Sequence, residues 1–163
     1  MNTPEANKRI AVIRVRGTVS RSSSLKKTLH LLRLNRTNHC VILDDRPTYK
    51  GMLQKAKDTI AWGELSHDSV RELLLKRGRI EGNKRITEEY IKENTEFSSL
   101  DNFVTKFLNF EANLSDIQGL KPVFRLHPPL KGHHRKGVKY AFTLGGALGY
   151  RGSEIDKLIT KMA

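Results

Sequence analysis

The segment HPPLKGHHRKGVKY, residues 127–140, concentrates side chains that can bind phosphate. Lysine and arginine meet phosphate oxygens, glycine permits close approach of a backbone, and histidine and tyrosine stack on bases or hydrogen-bond to them. From Lys121 to Arg151 the chain has seven lysine or arginine residues and no acid, so no salt-bridged helix face can neutralise them. The pattern favours an RNA-binding loop over a basic loop that binds nothing specific.

Two other ligand classes are weaker interpretations of the same region. A metal site on His127, His133 and His134 is disfavoured, because adjacent histidines do not easily face one ion and no cysteine or carboxylate completes the set. The glycine-rich residues 145–152, GGALGYRG, lack the G-x-G-x-x-G spacing of a dinucleotide loop and could instead present backbone amides to an RNA phosphate. We therefore expect neither a metal nor a cofactor.

Asp44 and Asp45 are the best candidates for catalysis, because they end a predicted strand and two carboxylates could hold Mg²⁺ for RNA cleavage. Neighbouring residues of a strand face opposite sides, and no third acid is nearby. Capping of the next helix, or pairing with Arg46, is the favoured interpretation. Cys40 lies inside an apolar strand and is best explained as a small buried hydrophobe. The sequence thus predicts no catalytic residue.

The elements that position these residues follow from the hydrophobic spacing. Strands are predicted at 9–16, 39–44 and 59–65, the second of them central in the sheet because its apolar run is continuous. A helix over 25–36 lies between the first two strands, and Pro47 opens a second helix. The order β-α-β-α-β predicts an α+β layer, with one small sheet and its helices on one face.

The rest of the chain is predicted to be helical and then loop-like. Helices are expected at 69–78, 87–94, 100–108 and 153–162, and residues 121–140 are expected to be a loop. We divide the chain into a β-α-β-α-β core at 8–66, a helical extension at 67–120, and a basic loop with a C-terminal helix at 121–163.

The net charge of +13 on 163 residues is unevenly distributed. Residues 1–66 carry +8, residues 67–120 carry −2, and residues 121–151 carry +7. Two basic blocks around a near-neutral one are typical of two phosphate-binding surfaces joined by an ordinary folded segment. We expect no membrane partner, because no apolar run approaches a membrane span and the second block is rich in glycine, proline and histidine. The N-terminus has no signal-peptide hydrophobic region, so a cytoplasmic protein is expected.

Long ordered stretches of the chain carry a resemblance to a known family. In the core they are IAVIRVRG and LHLLRLNRTNHCVILDDRPTYKGMLQKAKDTIAWGEL. Later in the chain they are SHDSVRELLLKRGR, ITEEYIKEN, FRLHPPLKG and GGALGYRG. The core stretches resemble the L-thirty family of large-subunit ribosomal proteins, and the later stretches are similar to its longer archaeal form. Only about eight residues precede the first predicted strand, which also resembles the archaeal form rather than the eukaryotic relative with its long basic arm.

The resemblance implies a three-stranded antiparallel, ferredoxin-like sheet, no catalytic activity, and no small-molecule substrate. It implies that the partners are large-subunit rRNA, the 5S rRNA and neighbouring large-subunit proteins. It also implies three RNA-binding regions: the loop after strand one with the first helix, the R-P-x-x-K-G-M segment, and the extension loops. In this sequence those are Arg16, Arg21, Lys26, Lys27, Arg33 and Arg36; Arg46, Tyr49, Lys50, Gly51 and Lys55; and Arg125, His127, Lys131, His133, His134, Arg135 and Lys136. The charge pattern adds Lys139 and Arg151.

The sequence therefore predicts a structural constituent of the large ribosomal subunit that binds rRNA through two basic surfaces, near the 5S rRNA. The alternatives are a free-standing RNA-binding or chaperone protein and a Mg²⁺-dependent RNA-processing enzyme. Whether residues 67–120 face RNA or protein stays open.

Overall fold

The computed structural model describes residues 8–163. Residues 1–7, which carry the expectations of no signal peptide and of a short N-terminal arm, lie outside the described residues. The strands are β1 (Arg9–Arg14), β2 (His39–Asp44), β3 (Ile60–Glu64), β4 (Val123–Arg125) and β5 (Gly149–Tyr150). The helices are α1 (Ser23–Leu31), α2 (Pro47–Ala56), α3 (His67–Glu72), α4 (Glu88–Asn94), α5 (Leu100–Leu108) and α6 (Ile155–Met162).

The sheet has five strands in the order β4-β2-β1-β3-β5, so the expectation of a three-stranded sheet is corrected. The predicted antiparallel trio β2-β1-β3 is present, with β1 rather than β2 at its centre. β4 adds antiparallel to β2, and β5 adds parallel to β3. β4 therefore gives β2 a neighbour on each side. The apolar run of β2 is continuous because both of its faces are covered: Val41 and Leu43 pack on the α1–α2 face, and Cys40 and Ile42 on the opposite face.

Helices cover both faces of the sheet, not one as expected. Ile10 and Val12 of β1 pack with side chains of α1 and α2. Ala11 and Ile13 point to the opposite face and pack with side chains of α3, α5 and α6. Side chains from all three predicted segments of the chain, 8–66, 67–120 and 121–163, meet in the hydrophobic core on this opposite face.

Several elements end at residues other than the predicted ones, because the regular α-helix gives way to another backbone conformation. α1 ends at Leu31, five residues earlier than predicted, and Arg33 then takes a left-handed conformation with φ +60°. After α3 the chain continues as a π-helical turn, Leu73–Arg77, and Gly78 ends it. Within the expected loop at 121–140, β4 is a strand and Gly137–Lys139 form one turn of 3-10 helix. No helix within residues 8–163 is long and apolar enough to cross a membrane.

Candidate nucleic-acid interface

The outer side of α1 and its flanking loops carry the first group of predicted RNA-binding cations, which we call the first surface: Arg16, Arg21, Lys26, Lys27, Arg33 and Arg36. α1 begins at Ser23 because the Ser22 hydroxyl accepts a hydrogen bond from the backbone amide of Leu25 at 3.3 Å. Leu25 and Leu29 are buried, so the intervening Lys26 and Lys27 face solvent. The other members of this group are exposed or half-buried: Arg16, Arg21, Arg33 and Arg36.

A buried arginine holds the loops of this first surface in place. Arg14, only 6% exposed, donates from its guanidinium to the backbone oxygens of Arg16 and Leu34, each at 3.0 Å. It also donates to the Thr18 hydroxyl at 3.3 Å. Burial lowers the pKa of Arg14. Arg14 thus ties the β1–α1 loop to the chain that follows α1, although sequence reasoning gave it no role.

The R-P-x-x-K-G-M segment opens α2, where Pro47 occupies the first turn and that turn contains no acidic residue. Arg46 pairs with Asp44 at 2.7 Å, and Lys50 pairs with Asp45 at 3.3 Å. Tyr49 is half-buried, with its ring against the hydrophobic layer under α2. Gly51 and Lys55 lie on the exposed side of the helix. Two of the predicted cations here are therefore already paired within the protein.

Asp44 and Asp45 each form an ion pair: Asp44 with Arg46, as predicted, and Asp45 with Lys50. The predicted alternative of a helix cap is not present, because no side-chain hydrogen bond caps α2. Asp44 lies between Arg46 and the buried Arg9, with which it forms a second ion pair. Within residues 8–163, no group of three or more histidine, cysteine, aspartate or glutamate residues could hold a metal ion. Cys40 is fully buried, and burial raises the pKa of its thiol to about 12, so it is not a nucleophile.

The basic loop, residues 121–151, is fastened to the C-terminal helix. The His127 backbone amide donates to the Met162 backbone oxygen at 3.0 Å, and the Leu130 backbone amide donates to the Lys161 backbone oxygen at 2.9 Å. The His127 ring also bonds to the backbone oxygen of Ala163 at 3.0 Å. The His127 ring is therefore engaged within the protein. The loop cations that remain exposed are Lys121, Arg125, Lys131, Arg135, Lys136 and Lys139.

The structure buries one predicted RNA-binding residue. Arg151 is 5% exposed; its guanidinium donates twice to the Ala147 backbone oxygen and lies over the Phe142 ring at 4.9 Å. Burial lowers the pKa of Arg151 to about 10. Because it is enclosed, Arg151 shapes the loop rather than presenting a charge at the surface. His134 is exposed and contacts the same Phe142 ring edge-on, and His133 is half-buried in a cleft between the loop and α6.

The two basic blocks meet across the β2–β4 pair. His39 at the start of β2 is directly opposite Arg125 of β4. The pKa of His39 is lowered by burial first, and then by the positive charges of Arg36, Arg125 and Arg14. Arg36 belongs to the first block and Arg125 to the second, so the surfaces predicted as separate are joined here. This junction required β4, which the sequence analysis did not predict.

Most of the predicted cations have no carboxylate partner within residues 8–163, and Arg46 and Lys50 are the exceptions. Exposed, unpaired cations on a small α+β scaffold define a class: proteins that bind a polyanion through its backbone charge.

Comparison with known proteins identifies the member of that class. Residues 10–60 match the family model for ribosomal protein L30p/L7e. The large ribosomal subunit protein uL30 of Methanopyrus kandleri is 50% identical over 148 residues, which cover 91% of this chain and 99% of the relative. The uL30 proteins of Methanosphaera stadtmanae and Methanocella arvoryzae are 48% and 45% identical over 152 residues, covering 93% of this chain and 98% of each relative. The chain belongs to the uL30 family of large ribosomal subunit proteins, as the sequence motifs predicted. The family is a structural component of the ribosome rather than an enzyme, so the RNA-processing alternative is dropped.

Proposed function

We propose that this chain binds large-subunit rRNA through its first surface and its basic loop, and so stabilises the packing of the folded rRNA near the 5S rRNA. The observation that carries the proposal is the set of exposed cations that lack a carboxylate partner within the described residues, on α1 and on the basic loop. Each such cation that meets a phosphate releases a condensed counterion, which makes binding favourable and dependent on salt. The proximity to the 5S rRNA and the contacts with neighbouring large-subunit proteins rest on the family resemblance.

The folded core gives these charges fixed positions. Arg14 fastens the loops around α1, and Arg151 shapes the basic loop from inside. Cations held close together repel one another, and that repulsion is relieved when closely spaced phosphates lie between them. The protein thus acts as a preformed set of counter-charges rather than as a catalyst.

Sedimentation tests this function against a free-standing RNA chaperone. We expect the full chain to migrate with large subunits through a high-salt wash, whereas a chaperone would be released to the top of the gradient. A double variant, Lys131→Gln with Arg135→Gln, should be washed off at lower salt than the parent. Lys92→Gln, which removes an exposed charge on α4, is the matched control and should behave as the parent does.

A further inference from the structure

A cluster of three arginines, two of which lie outside both predicted surfaces, surrounds a pocket at the edge of β4. The pocket has a volume of about 300 Å³ and is lined by Arg77, Arg79, Asn83 and Arg125. Arg77 ends the π-helical turn after α3, and Arg79 pairs with Arg85 in a tight hairpin whose turn contains Asn83. Three separate elements therefore bring guanidinium groups to one place.

These guanidinium groups are held by neutral oxygens and not by carboxylates. Arg79 donates to the backbone oxygens of Gly78 at 2.9 Å and Lys76 at 3.3 Å. Arg77 donates to the Arg125 backbone oxygen at 3.5 Å, and the Arg125 guanidinium bonds to the Asn83 side-chain oxygen. Within residues 8–163 none of these arginines forms an ion pair. The positive charge of the pocket is therefore not neutralised by the described part of the protein.

The electrostatic state of Arg79 agrees with that geometry. Its pKa is lowered by burial first, and then by the positive charges of Arg85, Arg77 and Arg125. Like charges brought this close destabilise one another, and a bound anion would relieve the repulsion. Planar guanidinium groups match phosphate oxygens two at a time, which favours phosphate among the possible anions.

We propose that Arg77, Arg79 and Arg125 bind one backbone phosphate of the rRNA. The proposal rests on the proposed rRNA-binding function and adds a contact from the helical extension. Arg125 faces His39 across the β2–β4 pair, so the pocket continues the joined basic surface onto residues 77–85. The lining contains no apolar side chain, so it offers nothing to a hydrophobic peptide. The net charge of −2 over residues 67–120 conceals this site, because the acids of the segment outnumber its cations although none of them lines the pocket.

Binding of the full chain to archaeal large-subunit rRNA over a series of KCl concentrations tests the proposal. Each phosphate contact contributes about 0.7–0.9 to the slope of log affinity against log salt. Because all three arginines bind one phosphate, we expect the double variant Arg77→Gln with Arg79→Gln to reduce that slope by about 0.7–0.9, and each single variant to reduce it by no more than that, whereas Lys92→Gln leaves it unchanged. Thermal unfolding and circular dichroism verify that each variant is folded.

The outcomes separate the pocket from the wider function. If Lys131→Gln lowers the slope but Arg77→Gln and Arg79→Gln do not, the pocket proposal fails and the proposed function stands. If none of the three changes the slope, the proposed function itself fails. If inorganic phosphate shifts the Arg79 side-chain NMR signals but the RNA slope is unaffected by Arg79→Gln, the pocket takes only free anions and the proposal is overturned.

Chemical modification of the unmutated chain keeps the proposal testable should the variants not fold. Phenylglyoxal modifies accessible arginines, and mass spectrometry locates the product. We expect rRNA to protect Arg77, Arg79 and Arg125, while Arg71, which pairs with Glu88 and Asp101, reacts equally in both states. Protection in whole subunits without protection by naked rRNA would assign the pocket to an acidic protein neighbour and overturn the proposal.

Discussion

Truncation of Arg9 tests whether one buried cation fastens the β-α-β-α-β core to the helical extension. Arg9 is 8% exposed and donates to the backbone oxygens of Phe107 at 3.2 Å and Ala112 at 3.1 Å, both of which belong to the helical extension at 67–120. Its guanidinium also pairs with Asp44 and lies 4.4 Å from the ring centroids of both Phe107 and Phe110. Burial lowers the pKa of Arg9, and the charge of Asp44 opposes that shift.

The expected cost follows from the groups that Arg9→Ala would leave unpaired. Breaking a buried ion pair by removing one partner costs about 3–5 kcal/mol, and an unsatisfied buried carbonyl costs about 1–3 kcal/mol. Asp44 keeps Arg46 at 2.7 Å, which offsets part of the loss. We therefore expect Arg9→Ala to lower the free energy of unfolding by about 4 kcal/mol.

Urea unfolding measures this loss, and the single tryptophan, Trp62 on β3, reports it by fluorescence. Arg33→Ala removes an exposed arginine and is the matched control, with an expected change within about 0.5 kcal/mol. Arg9→Lys keeps the charge but not the planar fork, so it should fall between the two. A loss below about 1 kcal/mol for Arg9→Ala would refute the fastening role.

Three further predictions concern rRNA binding by the basic loop, the pH dependence of stability, and a close backbone approach at Gly146. Lys131→Gln and Arg135→Gln should each reduce the salt slope of rRNA binding by about one unit, measured by filter binding; an unchanged slope would contradict the loop contact. The pKa of His39 is lowered in the folded state, mainly by burial, so the unfolded chain binds its proton more tightly and stability should fall as the pH drops below about 6.5. His39→Gln should make the free energy of unfolding, measured by urea titration, less dependent on pH. The pKa values of His133 and His134 are also lowered, so these histidines should retain part of the pH dependence. Gly146→Ala should lower the melting temperature, because a Cβ there would overlap the Tyr140 backbone oxygen; Gly51→Ala, which has open space, should not.

The core and α5 could be predicted because their apolar spacing is long enough to define a period. Leu100, Phe103 and Phe107 recur on one face, and α5 has the predicted bounds. β4 and β5 could not be predicted, since three and two residues carry no periodicity of their own. Their places are set by pairing with strands far away in the chain. β2 is an interior strand, as predicted, but its apolar run reflects burial on both faces and does not say which strands lie beside it.

The candidate site was predictable as a distribution of charge but not as a geometry. Counting cations finds both basic blocks, yet it cannot separate the enclosed Arg151 from the exposed Arg135. Arg14 lies within the strand predicted at 9–16, but its hydrogen bonds to two loops appear only in the folded chain. Averaging over residues 67–120 also hides Arg77 and Arg79, because the acids of the segment cancel their charge in the sum although none of them lines the pocket.

The most direct test of the account is a lysine-reactivity map of the protein, free and within isolated large subunits. We expect Lys26, Lys27, Lys131 and Lys139 to lose reactivity in the subunit, since their exposed charges would meet phosphates. RNA crosslinks from the same lysines would identify rRNA as the protecting partner. Reactivity that stays equal in the two states, or crosslinks only to proteins, would contradict the claim that these cations neutralise rRNA.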